Sequence, residues 1–88
     1  MAHASEQTSS SDAILARVQD VFRAELDDED LVIAPETSQQ NLKAWDSLAH
    51  IRLVSGIENA FDFQLTLGEI ERATSVRQFV DVILARLP

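Results

Sequence analysis

The chain has 88 residues, of which 15 are acidic and 7 basic, giving a formal charge of −8, and it contains no cysteine. A sequence of this size builds one small domain with little core to spare. Disulfides and thiolate metal sites are excluded, and the acidic balance argues against binding nucleic-acid phosphates; it either favours basic protein partners, met fastest at low salt, or merely keeps a small protein soluble. No apolar run approaches membrane-spanning length, and Met1-Ala2-His3-Ala4-Ser5 has no basic region leading into an apolar one, so a soluble, cytoplasmic monomer is expected.

Residues 1–10 are rich in Ser, Gln and Thr and lack apolar periodicity, the composition of a flexible tail ahead of a domain over 11–88. From Ser11 onward, Ile14, Leu15, Val18, Val21, Phe22 and Leu26 recur at helical spacing, which predicts a first helix over about Asp12 to Leu26. Arg17, Gln19, Asp20 and Arg23 are left for solvent. Asp27-Asp28-Glu29-Asp30 ends that helix with like charges that the helix dipole disfavours. The run lacks the alternating ligands, central glycine and closing glutamate of a calcium loop, and reads as a solvated charge cluster. From Leu31 to Ala44 the segment holds Pro35 and few apolar residues, which predicts a long ordered loop anchored by Leu31, Ile33 and Leu42. Trp45 is expected to fill its apolar underside, with a place at the rim beside Ser47 as the alternative.

Asp46 is a good N-cap, because its carboxylate accepts from otherwise unpaired amides of the first helical turn. Ser47 then stands on that turn, its hydroxyl beside free N–H groups and the positive end of the dipole, where an attached phosphate is stabilised. On a wheel of about 100° per residue, Ile51, Leu53, Val54, Ile57 and Phe61 fall on the arc that faces the bundle. Leu48, Arg52, Ser55, Gly56 and Asn59 fall opposite, so Leu48 is an aliphatic side chain left outside the core beside Ser47. His50, three residues after Ser47, is within one turn of a phosphate there; packing is its alternative role. No second helical histidine completes a metal site. Gly56 costs about 1 kcal/mol relative to alanine in mid-helix and either allows a partner's close approach or is merely tolerated.

Asp62-Phe63-Gln64-Leu65 alternates like a strand, but a lone strand is not stable, so it is read as a loop anchored by Phe63 and Leu65. Thr66-Leu67-Gly68-Glu69 is a capping box opening a short third helix through about Arg72, and Ser75 with Gln78 repeats the device for a fourth. Val76, Phe79, Val80, Ile83, Leu84 and Leu87 form its apolar stripe. The expected fold is all-α, an up-down four-helix bundle of three long helices and a short third one, with a long loop between the first two.

Asp46-Ser47-Leu48, the helix closing on Ile57-Glu58-Asn59-Ala60-Phe61 and the later Glu69-Ile70-Glu71-Arg72-Ala73-Thr74-Ser75-Val76 together resemble an acyl or peptidyl carrier protein, over about residues 11 to 87. The resemblance implies that Ser47 carries a 4'-phosphopantetheine arm whose thiol holds acyl or aminoacyl groups as thioesters. Asp46 and Leu48 match the flanking recognition positions, and His50 completes the expected cofactor-binding set. A separate phosphopantetheinyl transferase, using coenzyme A and magnesium, attaches the arm. Loading ligases and downstream transferases or synthases are the further partners, contacting Leu48, Arg52, Ser55, Glu58 and Asn59. Ile51 and Val54, with Ile57, Phe61 and Ile70, match a lining where acyl chains shelter.

The chain departs from the pattern of fatty-acid carriers, which commonly have acidic residues where Ala49, Arg52 and Asn59 stand and a glycine where Ala44 stands. Those departures point to a specialised biosynthetic pathway, with an acyl group or an amino acid as cargo. Ser47 has no evident base and orienting carboxylate, and no Gly-x-Ser-x-Gly elbow encloses it, so a carrier and not an enzyme is expected. The alternative from another class is an unmodified acidic interaction module, with Asp46-Ser47 no more than a helix cap.

Overall fold

In the computed structural model, which describes residues 2–86 and their side chains from Ser11 onward, four helices and no strand make up the regular structure. They are α1 (Ala2–Glu25), α2 (Ser47–Phe61), α3 (Leu67–Arg72) and α4 (Val76–Arg86). The fold is the all-α bundle expected, with α1 packed against both α2 and α4.

The backbone of α1 is helical from Ala2, where the apolar pattern predicted a start near Asp12. Residues 2–10 have no apolar periodicity in the sequence, which is the only signal that pattern reads. The packed part buries Ile14, Val18, Val21 and Phe22, with Leu15 and Leu26 half-buried. Just past its end Asp27 takes a left-handed conformation (φ 55°), and the Asp28 amide donates back to the Arg23 carbonyl at 3.0 Å.

Three of the four polar residues assigned to solvent on α1 are structural instead. Gln19 Oε1 accepts from the Ile33 amide at 3.0 Å and Arg23 Nε donates to the Leu31 carbonyl at 2.7 Å, so both hold the loop that follows. Arg17 donates to the Ala60 carbonyl and lays its guanidinium over the Phe61 ring, 4.2 Å from its centre, clipping α1 to the end of α2. Long charged side chains serve two elements at once, which a helical wheel does not register.

The long loop is ordered by anchors and by backbone. Ile33 is buried and Leu31 and Leu42 are half-buried on the core, as expected. Ser38 bridges to Ser75, Gln39 N–H donates to the Thr74 carbonyl, and the carbonyls of Thr37 and Pro35 accept from the amides of Val76 and Arg77 at 2.8 and 3.0 Å. The loop thereby satisfies the first amides of α4, which would otherwise be orphans.

Trp45 lies at the centre of the core, 1% exposed, edge-on to Phe22 (centroids 5.0 Å apart) and nearly parallel to Phe79 (5.9 Å). Around it α2 contributes Leu53, Val54 and Ile57 and α4 contributes Val76, Phe79 and Ile83. Of the expected α4 stripe, Val80 is half-buried, Leu84 is exposed, and Leu87 lies outside the described residues.

The turn after α2 is fixed by Asp62 in the left-handed region (φ 60°) and by the Glu58 carboxylate, which accepts from the Leu65 amide at 2.8 Å. Leu65 is buried and Phe63 half-buried, so the segment is the anchored loop expected. The predicted box on α3 is present, with the Glu69 amide donating to Thr66 Oγ1 (3.1 Å) and the Thr66 amide to Glu69 Oε1 (2.9 Å). On α4 the Gln78 amide donates to Ser75 Oγ, but the Gln78 side chain accepts from the Thr74 amide, one residue upstream of the position foreseen. The Ser75 hydroxyl also donates to Gln78 Oε1 at 3.2 Å.

Candidate functional site

The start of α2 is set by Asp46. Its backbone is extended (φ −92°, ψ −173°), its Oδ1 accepts from the Ala49 amide at 2.8 Å, and its carbonyl accepts from the His50 amide at 2.9 Å. Ser47, the first residue of the helix, is exposed. Among the described residues the amides of Ser47 and Leu48 donate to no protein group, so two unpaired N–H groups lie at the dipole's positive end next to the Ser47 hydroxyl. An anionic ester on that oxygen would find donors beside it and open solvent around it.

Leu48 is 60% exposed, as the wheel requires, and Arg52, Ser55 and Asn59 share its face. Glu58, expected among these contacts, is half-buried and its carboxylate is committed to the Leu65 amide, so it braces the next loop. Ile51 is a second correction. It is 64% exposed and does not join the interior lining. The buried arc is completed by Ala49, on the far side of Leu53, and by the half-buried His50 and Gly56, which rotates the helix so that Ile51 lies about 60° beyond Val54. Of the other lining candidates, Val54 and Ile57 are buried and Phe61 and Ile70 are half-buried against the core.

His50 is the third correction. Its ring does not turn towards Ser47; Nδ1 accepts from the Trp45 indole N–H at 3.0 Å, and Nε2 is 2.8 Å from the Ile70 carbonyl of α3. Both nitrogens are spent, so none is left for a phosphate. The sequence pattern gave no warning of this, since an indole five residues upstream is out of reach along a helix and meets His50 only because the chain turns at Asp46. Ala49 was also missed as a core residue, although its place four residues before Leu53 put it on the packed arc.

Among the described residues no group of three or more His, Cys, Asp or Glu is placed to hold a metal ion, and no helix is long and apolar enough to cross a membrane. The site therefore consists of one exposed hydroxyl, a fixed helix start and a mostly uncharged face dominated by Leu48, Ile51 and Arg52.

A family profile described as the phosphopantetheine attachment site matches residues 12–83. An acyl carrier protein of Cyanidioschyzon merolae (strain NIES-3377 / 10D) is 34% identical over 71 residues, 81% of this chain and 78% of the relative. The solution NMR structure of a holo acyl carrier protein from Geobacter metallireducens superposes with a TM-score of 0.70 at 33% identity, covering 86% of each chain. With the profile spanning all four helices and the bundle shared, the chain belongs to the acyl carrier proteins, carriers and not enzymes, which work through a covalently attached 4'-phosphopantetheine.

Proposed function

We propose that Ser47 is the residue that bears the 4'-phosphopantetheine and that the chain presents acyl groups to the enzymes of a specialised biosynthetic pathway in the cytoplasm. The observation that carries this is the exposed Ser47 hydroxyl on the first turn of a helix whose start Asp46 fixes. The residues present fit the group. Ser47 Oγ would form the ester, and the unpaired amides of Ser47 and Leu48 at the positive end of the helix would favour a negatively charged phosphate there. Once attached, the group supplies a thiol on a flexible tether, on which acyl chains are held as thioesters.

The protein's own part is presentation. Asp46 contributes by capping the helix, while Leu48, Arg52, Ser55 and Asn59, joined by Ile51, form the face on which a phosphopantetheinyl transferase and acyl-handling enzymes dock. Apolar anchors ringed by polar side chains suit a transient interface. On α2 the formal charges are Arg52 and the committed Glu58, which supports partners other than those that select an acidic helix. Val54, Ile57, Phe61 and Ile70 are the remaining lining for a sheltered chain, and because they are packed, cargo enters only as they part. The domain proper is residues 11–88, of which the family match covers 12–83.

The test is intact-mass measurement after incubation with a broad-specificity transferase and coenzyme A. One phosphopantetheine adduct is expected on the wild type and none on Ser47→Ala, with helical content unchanged between them. A wild type that stays unmodified leaves the acidic interaction module as the better reading.

A further inference from the structure

The indole N–H of Trp45 can only donate, and it points at Nδ1 of His50 from 3.0 Å. Nδ1 must therefore be bare. The Ile70 carbonyl can only accept, and it lies 2.8 Å from Nε2, so the proton sits there. Both contacts are satisfied together by one form alone, the neutral imidazole protonated on Nε2. The ring is also walled by aromatic groups, nearly parallel to Trp45 at 5.9 Å and tilted against Phe79 of α4 at 5.9 Å.

The consequence is topological. Trp45 precedes Ser47 by two residues and His50 follows it by three, so the bond between their side chains closes residues 45–50 into a ring with Ser47 on its outer rim. The Trp45 end of the ring is seated in the core, and the His50 end is tied to the backbone of α3. Asp46 fixes the helix start within it. A serine on a helix terminus would otherwise fray with the first turn. Here both flanks are held.

We infer that His50 is a positioning residue for loading at Ser47: through its bonds to Trp45 and Ile70 it holds the first turn of α2 in place, so that the hydroxyl is offered to the transferase in one orientation. This rests on Ser47 as the attachment residue. His50 touches neither the hydroxyl nor the docking face, and its effect falls on the rate of the chemical step while Leu48, Ile51 and Arg52 still support encounter.

The experiment compares wild type, His50→Phe and His50→Asn. Phenylalanine keeps the ring's volume and loses both bonds, whereas the asparagine amide oxygen lies where Nδ1 was and can accept from Trp45. Nitrogen-15 NMR of the wild-type imidazole is expected to show the Nε2-protonated neutral form. Loading by a broad-specificity transferase with coenzyme A, read by intact mass over time, is expected to lose about tenfold in kcat in His50→Phe with KM within about twofold. His50→Asn is expected to recover most of that loss, a rescue that ring packing alone does not provide. An Nδ1-protonated ring, a His50→Phe protein loaded at the wild-type kcat, or a His50→Asn protein no better than His50→Phe overturns the inference and leaves Ser47 untouched. A wild type that is not loaded at all overturns the Ser47 assignment and this inference with it.

Discussion

Gly56 of α2 and Val21 of α1 are packed so closely that a Cβ on Gly56 would stand 2.6 Å from Val21 Cγ1, with Glu25 Cγ a further neighbour at 3.2 Å. The glycine is therefore where the two helices touch. Gly56→Ala is expected to destabilise the fold by about 1 to 3 kcal/mol through overpacking, more than offsetting a helix-propensity gain of about 1 kcal/mol. The urea midpoint checks this. A midpoint at or above wild type would mean that Val21 moves aside at no cost.

Trp45 joins three packed groups and one hydrogen bond, so its truncation is costly. Trp45→Ala is expected to lose about 3 to 5 kcal/mol, much of what a domain of this size possesses. Trp45→Phe retains much of the apolar volume but leaves Nδ1 of His50 without its donor, for a loss of about 1 to 3 kcal/mol. Chemical denaturation followed by circular dichroism separates the two.

Asp62 adopts a left-handed backbone (φ 60°) at the C-terminus of α2, where its amide donates to the Glu58 carbonyl at 2.9 Å. Glycine adopts that conformation without the steric cost of a Cβ, keeps the amide, and removes a negative charge from the unfavourable end of the dipole. Asp62→Gly is expected to stabilise by about 0.5 to 1 kcal/mol, seen as a raised Tm.

The carboxyl of Glu69 is held below its usual range, chiefly by the Thr66 amide of the capping box; desolvation opposes this, and the hydrogen bond and charge of Arg86 add to the lowering. Because the folded value is the lower one, the ionised group supports the fold above the unfolded value. That support is lost as the pH falls through the folded value. Wild type is therefore expected to resist urea better than Glu69→Gln near neutrality, with the gap closing as the pH drops below the ordinary glutamate range. A gap that persisted into strong acid would assign the effect to something other than ionisation.

Elements built from local rules were readable before the structure. The Asp46 cap, the Thr66–Glu69 box, the loop anchors Ile33 and Leu65, and the Val76, Phe79 and Ile83 stripe each depend on neighbours within a few residues. What was hidden depends on long-range meeting. Ile51 was misplaced because the wheel weighed hydrophobicity alone, whereas the buried arc admits the small residues Ala49 and Gly56 and a bonded His50. Glu58 and Arg17 look like surface charges in one dimension, and their backbone partners, Leu65 and Ala60, are fixed only once loops and helices dock. Ser47 was legible because its exposure follows from the cap itself.

Two serines, 47 and 75, border the N-termini of long helices, and the docked loop makes them chemically unequal. At α4 the amides of Val76 and Arg77 are taken by Thr37 and Pro35, and the Ser75 hydroxyl is engaged with Gln78. Under the proposed assignment of Ser47, a modifying enzyme would meet a closed mouth at Ser75 and an open one at Ser47, so the choice between the two hydroxyls would be built into the substrate's architecture.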